Sequence, residues 1–155
     1  MSYYPIMIDL EGKKVLVIGG GKVATRKVET FLEYGAEVRV VSKDLEPELR
    51  NHVENGDVRY SAREFHEDDL ADIYLIITAT NNKNLNHEIS IMAREKGILV
   101  NAVDQPTDCS FIVPSILKRG DLIIAVSTSG KSPALAKKVK KNYPKDLGTC
   151  MKIFY

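Results

Sequence analysis

Lys14-Val15-Leu16-Val17-Ile18-Gly19-Gly20-Gly21-Lys22-Val23-Ala24 runs an apolar segment straight into a glycine cluster and then into helical spacing. Val15 to Ile18 reads as a buried strand. After the glycines, Val23, Lys27, Val28, Phe31 and Leu32 recur at three and four, as on one face of a helix. Gly35 stops that helix, and Glu37 to Val41 is a second apolar strand. The whole is a β-α-β unit of about thirty residues. Within it, Gly19-x-Gly21-x-x-Ala24 has the attributes of a dinucleotide pyrophosphate cradle. Gly19 allows a tight turn, Gly21 lets the backbone approach the phosphates, and Ala24 lets the helix lie close to the strand. A helix starting near Lys22 aims unsatisfied N–H groups and its positive end at the anion. A glycine turn that only packs a helix tightly is the competing reading.

The end of the second strand bears on which dinucleotide. An acidic residue there usually holds the ribose hydroxyls. Here the strand ends Val40-Val41-Ser42-Lys43-Asp44, so the acid, Asp44, lies slightly beyond the tip. Lys43 leaves room for NADP beside NAD, since a cation could meet a 2′-phosphate.

Strand and helix signals continue to alternate downstream: a short helix at 47–55, a strand at 58–61, an acidic connection at 66–72, a β-branched strand at 73–78, a helix at 84–96 and a strand at 98–100. Asn82 or Asn84 is the expected N-cap of the later helix and Gly97 its stop. This alternation predicts an α/β protein, a Rossmann-like doubly wound parallel sheet covered by helices on both faces. After residue 109 the pattern changes. Apolar runs at 110–115 and 121–127 are expected to form a hairpin, joined through Ile-Leu-Lys-Arg-Gly120. Ser132 and Pro133 then open a basic helix that ends before Tyr143-Pro144. The expected organisation is a dinucleotide-binding domain over residues 1–112 and a small segment over 113–155, hairpin plus basic helix.

Composition narrows the function classes. The 155 residues are 44% hydrophobic and 28% charged, with a net charge of +1, so no global field recruits nucleic acid. No apolar run is long enough for a transmembrane helix, and the N-terminus lacks the basic start and apolar core of a signal peptide. Cys109 and Cys150 stand far apart, with no Cys-x-x-Cys or Cys/His spacing for a metal. A cytoplasmic protein with no protein-held metal and no membrane partner is the simplest reading. Charge is nevertheless uneven. From Lys131 onward there are seven lysines and one acid, Asp146, so that segment is about six positive and the remainder about five negative. The segment reads either as a solvated helix face or as a cationic wall for an anionic ligand.

In an open α/β sheet, the loops after the carboxyl ends of the strands converge on one edge. Thr80 and Asn81 belong to such a loop, small and polar, suited to lie against a nicotinamide or ribose; capping is the alternative role. Asn101-Ala102-Val103-Asp104-Gln105-Pro106 puts one carboxylate just beyond the fifth strand. Asp104 could form an Asx-turn; in an enzyme it is the candidate general base. His52, His66 and His87 read as surface histidines, and Cys109 as a small packing residue.

Several ordered blocks together resemble the siroheme synthase N-terminal module family, the precorrin-2 dehydrogenase/sirohydrochlorin ferrochelatase module. They are Pro5-Ile6, Val17 to Lys27, Ala79-Thr80-Asn81, Asn101-x-Val103-Asp104 with Ser110-Phe111-Ile112-x-Pro114-Ser115, and Ser127-x-Ser129-Gly130-x-Ser132-Pro133. The resemblance covers residues 3 to about 145 and implies NAD-dependent oxidation of precorrin-2 to sirohydrochlorin. Some members also insert Fe²⁺ as a substrate. It places the family aspartate on Asp104, and cofactor contacts on Lys22, Val23, Lys43 and Asp44 beside Gly19, Gly21, Ala24, Thr80 and Asn81. It makes the segment with Ser127, Thr128, Ser129, Lys131 and Ser132 the substrate-facing loop, and the basic helix, with Lys131 and Lys137, then supplies charge of the right sign for the carboxylates of the substrate. Thr128 stands where serine is frequent and keeps the hydroxyl. It also implies a homodimer, with 113–155 serving dimerisation and substrate binding, and a helical tail that is short or truncated at residue 155. A non-catalytic NAD-sensing module, or a dimeric regulatory Rossmann module, is the competing function.

Overall fold

In the computed structural model, which describes residues 3–103 and 105–143, the chain divides into two compact units, Pro5–Phe111 and the residues from Ile112 onward together with the first four. The first unit is built on five parallel strands, β1 (Lys14–Ile18), β2 (Glu37–Val41), β3 (Val58–Ser61), β4 (Leu75–Thr78) and β5 (Leu99–Ala102), in the order β3-β2-β1-β4-β5. The connecting helices are α1 (Lys22–Glu33) between β1 and β2, α2 (Pro47–Glu54) between β2 and β3, and α3 (Lys83–Glu95) between β4 and β5. The doubly wound Rossmann-like architecture expected from the alternation is the one formed.

Alternation of side chains across the pleat divides the core. Val15, Val17, Val38, Val40, Leu75 and Ile77 point to the face covered by α1 and α2, where they meet Ala24, Val28, Phe31 and Leu49. Leu16, Ile18, Val41, Ile76 and Val100 point to the opposite face and meet Ile89 and Ala93 of α3. Sandwiched strands cannot show polar alternation, which is why the sequence of β1 and β4 is an unbroken apolar run. Each such fully buried Val, Leu or Ile contributes about 1.5–3 kcal/mol of transfer free energy.

Three of the helices end alike. Gly35 N–H donates to Leu32 O and Ala36 N–H to Phe31 O; Gly56 N–H donates to Val53 O and Asp57 N–H to His52 O; Gly97 N–H donates to Arg94 O and Ile98 N–H to Ala93 O. All are the paired bonds of a Schellman ending, which returns the chain to the next strand within three residues of the helix. At the start of α3, Asn82 is the cap, its Oδ1 accepting from Leu85 N–H at 3.1 Å.

Charge is also buried in this unit. Asp69, 2% exposed, accepts from Arg39 at 2.5 Å and from Arg63 at 2.6 and 2.8 Å, and takes the His66 N–H at 2.9 Å. The Arg63 hydrogen bond, followed by the His66 amide and the charge of Arg39, holds its carboxyl below the usual range against the opposing effect of burial. The acidic connection at 66–72 is thus a 3₁₀ turn, Glu67–Leu70, plugged into the sheet by one carboxylate.

The second unit contains an antiparallel hairpin, β6 (Ser115–Arg119) and β7 (Leu122–Val126), and helix α4 (Pro133–Lys141), which packs on both strands. The hairpin forms, but one strand is shifted from the expected position. Ile-Leu-Lys-Arg, read as the connection, is strand β6 itself, and 110–114 is not strand. The reason is turn geometry. Arg119 pairs with Leu122, leaving a two-residue turn, Gly120-Asp121, with positive φ at Gly120 only, as a type II′ turn requires. Pro114, which lacks an N–H, lies just outside the strand. Ser132 caps α4 through Leu135 N–H at 3.3 Å, as Pro133 in the first turn led one to expect. Among the described residues, no helix is long and apolar enough to cross a membrane.

Candidate functional site

The strand order reverses direction between β1 and β4, so the crevice for a ligand opens beyond their carboxyl ends. A cleft of about 450 Å³ lies there, within the usual range of small-molecule sites. Gly19, Gly20 and Gly21 form its floor, Ser42 to Pro47 one wall, and Ala79, Thr80 and Asn81 the other. Of the expected cofactor residues, Gly19, Gly21, Lys43, Asp44, Thr80 and Asn81 line this cleft. Lys22 and Val23 form the first turn of α1, and Ala24 is fully buried beneath it.

The three glycines do different work. Gly19 adopts φ +115°, and a Cβ there would come within 2.5 Å of Ala79 O. Gly20 is tighter still: its Cβ would fall 1.9 Å from Asp44 O, because Glu46 N–H donates to Gly20 O at 2.8 Å and draws the 42–46 wall onto the floor. A Cβ at Gly21 would meet nothing within 4 Å, so the space before it is open to a ligand. No side chain caps α1, and its first intrahelical bond is Thr25 N–H to Gly21 O at 3.0 Å. The amides of the first turn therefore face this open space. A pyrophosphate fits on these grounds: the packed glycines shape the cradle and the open one leaves it room.

Gly20, Ser42, Leu45, Glu46 and Pro47 also line the cleft and are not in the expected set. Three consecutive glycines were the available signal for Gly20; nothing local marks the others, which reach the cleft only because the wall folds back. Ser42 Oγ donates to Asp44 O at 2.8 Å, and Tyr60 Oη donates to Ser42 O at 2.9 Å, so the wall is braced from β3. Lys43 pairs with Glu64 at 2.7 Å; hydrogen bonding and charge raise the lysine and lower the carboxyl.

Asp104 lies outside the described residues. The backbone before it is tied down by Val103 N–H to Thr78 O at 2.9 Å. The turn after it, Gln105 to Cys109, rests on Asp108, which is buried. Asp108 Oδ1 lies 2.9 Å from His87 Nδ1, and its Oδ2 accepts from Gln105 Nε2 at 3.1 Å. His87 is on the helix surface as expected, but its pairing was not legible. The Cys109 thiol donates to Ala102 O at 3.3 Å, and burial raises its pKa, which suits a packing residue rather than a thiolate.

In the second unit, a smaller cleft of about 210 Å³ is walled by Ile112, Val113, Pro114, Val126 and Ala136, with Ser127, Thr128 and Lys137 beside them. The structure brings these three of the expected substrate residues together. Ser129, Lys131 and Ser132 do not line it. They shape the preceding turn, where Ser129 N–H donates to Ser127 Oγ and Ser132 N–H to Thr128 Oγ1. Lys131 and Lys137 are exposed.

Known proteins agree with this architecture. Residues 6–115 match a family described as "Putative NAD(P)-binding", and residues 119–142 match "Sirohaem biosynthesis protein central". A solved structure, "SirC, precorrin-2 dehydrogenase", superposes with a TM-score of 0.85 at 32% identity, over 99% of this chain and 77% of that one. The chain belongs to the siroheme synthase N-terminal module family. Within that family, siroheme synthase of Photorhabdus laumondii is 40% identical over 99% of this chain and 33% of its own length. Siroheme synthase 1 of Serratia proteamaculans is 41% identical over 91% of this chain and 30% of its own. The chain thus spans about a third of the length of these siroheme synthases. As a member of this family it takes a nicotinamide dinucleotide as cofactor.

Proposed function

We propose that this chain oxidises precorrin-2 to sirohydrochlorin with NAD⁺ as hydride acceptor. The observation that carries the reading is the open cradle at Gly21, set before uncapped helical amides, in a chain that matches a precorrin-2 dehydrogenase along nearly all its length. When bound, the nicotinamide accepts a hydride from a ring carbon of the tetrapyrrole.

The residues supply the rest. Gly19, Gly20 and Gly21 admit the pyrophosphate, and the amides of Lys22 and Val23 bind it. Asp44 holds the ribose side, and Thr80 and Asn81 fix the dinucleotide from the opposite wall. Engagement of Lys43 by Glu64 supports NAD over NADP, because it places a carboxylate where a 2′-phosphate would need a free cation. Asp104 accepts the proton that leaves the tetrapyrrole as the hydride departs. Ser127, Thr128 and Lys137 bind a carboxylate-bearing edge of the substrate against the apolar wall of the smaller cleft, aided by Lys131, Ser129 and Ser132. We assign residues 1–112 to cofactor binding and 113–155 to substrate binding and dimerisation, in the cytoplasm. A homodimer is supported by Leu135 and Val139, 51% and 41% exposed one turn apart on α4. Fe²⁺, where it is a further substrate, would be taken by the tetrapyrrole nitrogens.

Incubation with precorrin-2 and NAD⁺ should yield NADH and sirohydrochlorin in equal amounts. NAD⁺ binding without turnover would favour the non-catalytic sensing module instead. Asp104→Ala should lower kcat by about 10²–10⁴-fold while leaving the Kd for NAD⁺ in place; an unchanged kcat removes Asp104 from the chemistry. Fe²⁺ added to sirohydrochlorin with and without the protein measures insertion.

A further inference from the structure

We propose that adjacent residues of α3, Asn86 and His87, form a two-loop clamp. Asn86 positions the loop that holds the cofactor, and His87, through Asp108, positions the turn that follows Asp104. This inference rests on the proposed oxidation for its second half only.

Asn86 is 1% exposed, so its amide must find partners inside the protein. It finds them all on one residue. Asn86 Oδ1 accepts from Thr80 Oγ1 at 2.6 Å and from Thr80 N–H at 3.4 Å, and Asn86 Nδ2 donates to Thr80 O at 3.0 Å. Both backbone polar groups of Thr80 and its hydroxyl are thereby tied to one rigid helix. The neighbouring Asn82 N–H also donates to Thr80 Oγ1 at 3.2 Å. Thr80 lines the cleft wall beside the glycine floor, where Ala79 O and Thr80 N lie 2.5 and 3.3 Å from a Cβ at Gly19. A shift of Thr80 would therefore change the width of the cradle.

The next residue does the corresponding work on the other loop. Asp108 receives His87 Nδ1–H and Gln105 Nε2–H on separate oxygens, and Gln105 Nε2 also donates to Lys83 O at 3.2 Å. Further along α3, Arg94 donates to Thr107 O at 2.9 Å. The 105–108 turn is thus held to α3 at Lys83, His87 and Arg94. No bond in the site described above requires this arrangement for cofactor binding. Its effect is to hold the chain next to the proposed proton acceptor, where small displacements are costly in rate.

The two halves predict opposite kinetic signatures. Asn86→Ala should raise the Kd for NAD⁺, measured by calorimetry without tetrapyrrole, by about tenfold. Asn86→Asp keeps the two accepting bonds, loses the donated one and should fall between. Asp108→Asn turns an NH₂ group toward either His87 or Gln105 Nε2. It should lower kcat by about tenfold or more with the Kd for NAD⁺ within about twofold of the parent. It should also remove the hydrogen-bonded His87 Nδ1–H resonance. Asp108→Glu should restore part of kcat. Thermal unfolding confirms that each variant is folded. Equal changes in both parameters for both variants would mean general loosening and overturn the clamp, as would an unchanged Kd in Asn86→Ala. If the parent binds NAD⁺ but does not turn over precorrin-2, the proposed oxidation fails. The Kd of Asn86→Ala and the His87 resonance then decide the clamp.

Discussion

In Pro5–Phe111 the central strands β1 and β4 are buried from Val15 to Ile18 and from Leu75 to Thr78. In the unit beginning at Ile112, Ala136 is the buried side chain among the described residues. In the proposed function the first unit meets its ligand with backbone: glycine floor, helical amides and loops braced by hydrogen bonds. The second would meet its ligand with side chains: hydroxyls in a turn and lysines on an exposed helix. The two ligands would then be recognised by different physics. A pyrophosphate would be selected by a cradle whose shape depends on Gly19 and Gly20 packing without a Cβ. A polycarboxylate would be selected by charge on an exposed surface.

The greatest change is expected at the glycine floor. Gly20→Ala places a methyl group on Asp44 O, so the 42–46 wall must move. The cost of such overpacking is about 1–3 kcal/mol or more, and NAD⁺ binding measured by calorimetry should be lost or weakened by at least about tenfold. Retained affinity would show that the wall is freely movable and the shape argument wrong.

A smaller effect separates buried from exposed charge. Asp69 has a folded pKa below its unfolded value of about 3.9, through Arg63, the His66 amide and Arg39. Its stabilisation is therefore present above that unfolded value and is lost as pH falls through the folded one. In urea titrations between neutral and about pH 3, the parent should lose stability on acidification more steeply than Asp69→Asn. Parallel curves would show that the cluster is not linked to folding. The smallest effect concerns cofactor choice. Glu64→Ala frees Lys43 and should improve NADP⁺ affinity relative to NAD⁺ by about threefold, as expected for an exposed pair. No change in that ratio would remove Glu64 from dinucleotide selection.

Much of the first unit was legible because its signals are local. The apolar run of β1, the glycines and the stops at Gly35 and Gly97 each act within a few residues of where they stand. What was not legible depends on contacts between segments distant in sequence. Gly20 is required by Asp44, Ser42 is held by Tyr60, and His87 finds Asp108 across 21 positions. Where the second unit begins, the apolar content of 110–115 points to a strand that turn chemistry overrides. Gly120 with Asp121 makes a two-residue turn, and that fixes β6 five residues later than composition alone indicated. The proposed substrate residues follow from the family resemblance and from the charge of the last helix. Their geometry then divides them into Ser127, Thr128 and Lys137 in the cleft and Ser129, Lys131 and Ser132 in the turn that builds it.

Salt separates a cofactor held by shape from a substrate held by charge. The decisive comparison is the Kd for NAD⁺ against the KM for precorrin-2, on one preparation, as salt rises from about 50 to about 500 mM, where exposed charges become screened. The KM for precorrin-2 should rise by about tenfold or more while the Kd for NAD⁺ changes by no more than about twofold. Equal salt dependence of the two, or a KM indifferent to salt, would contradict it.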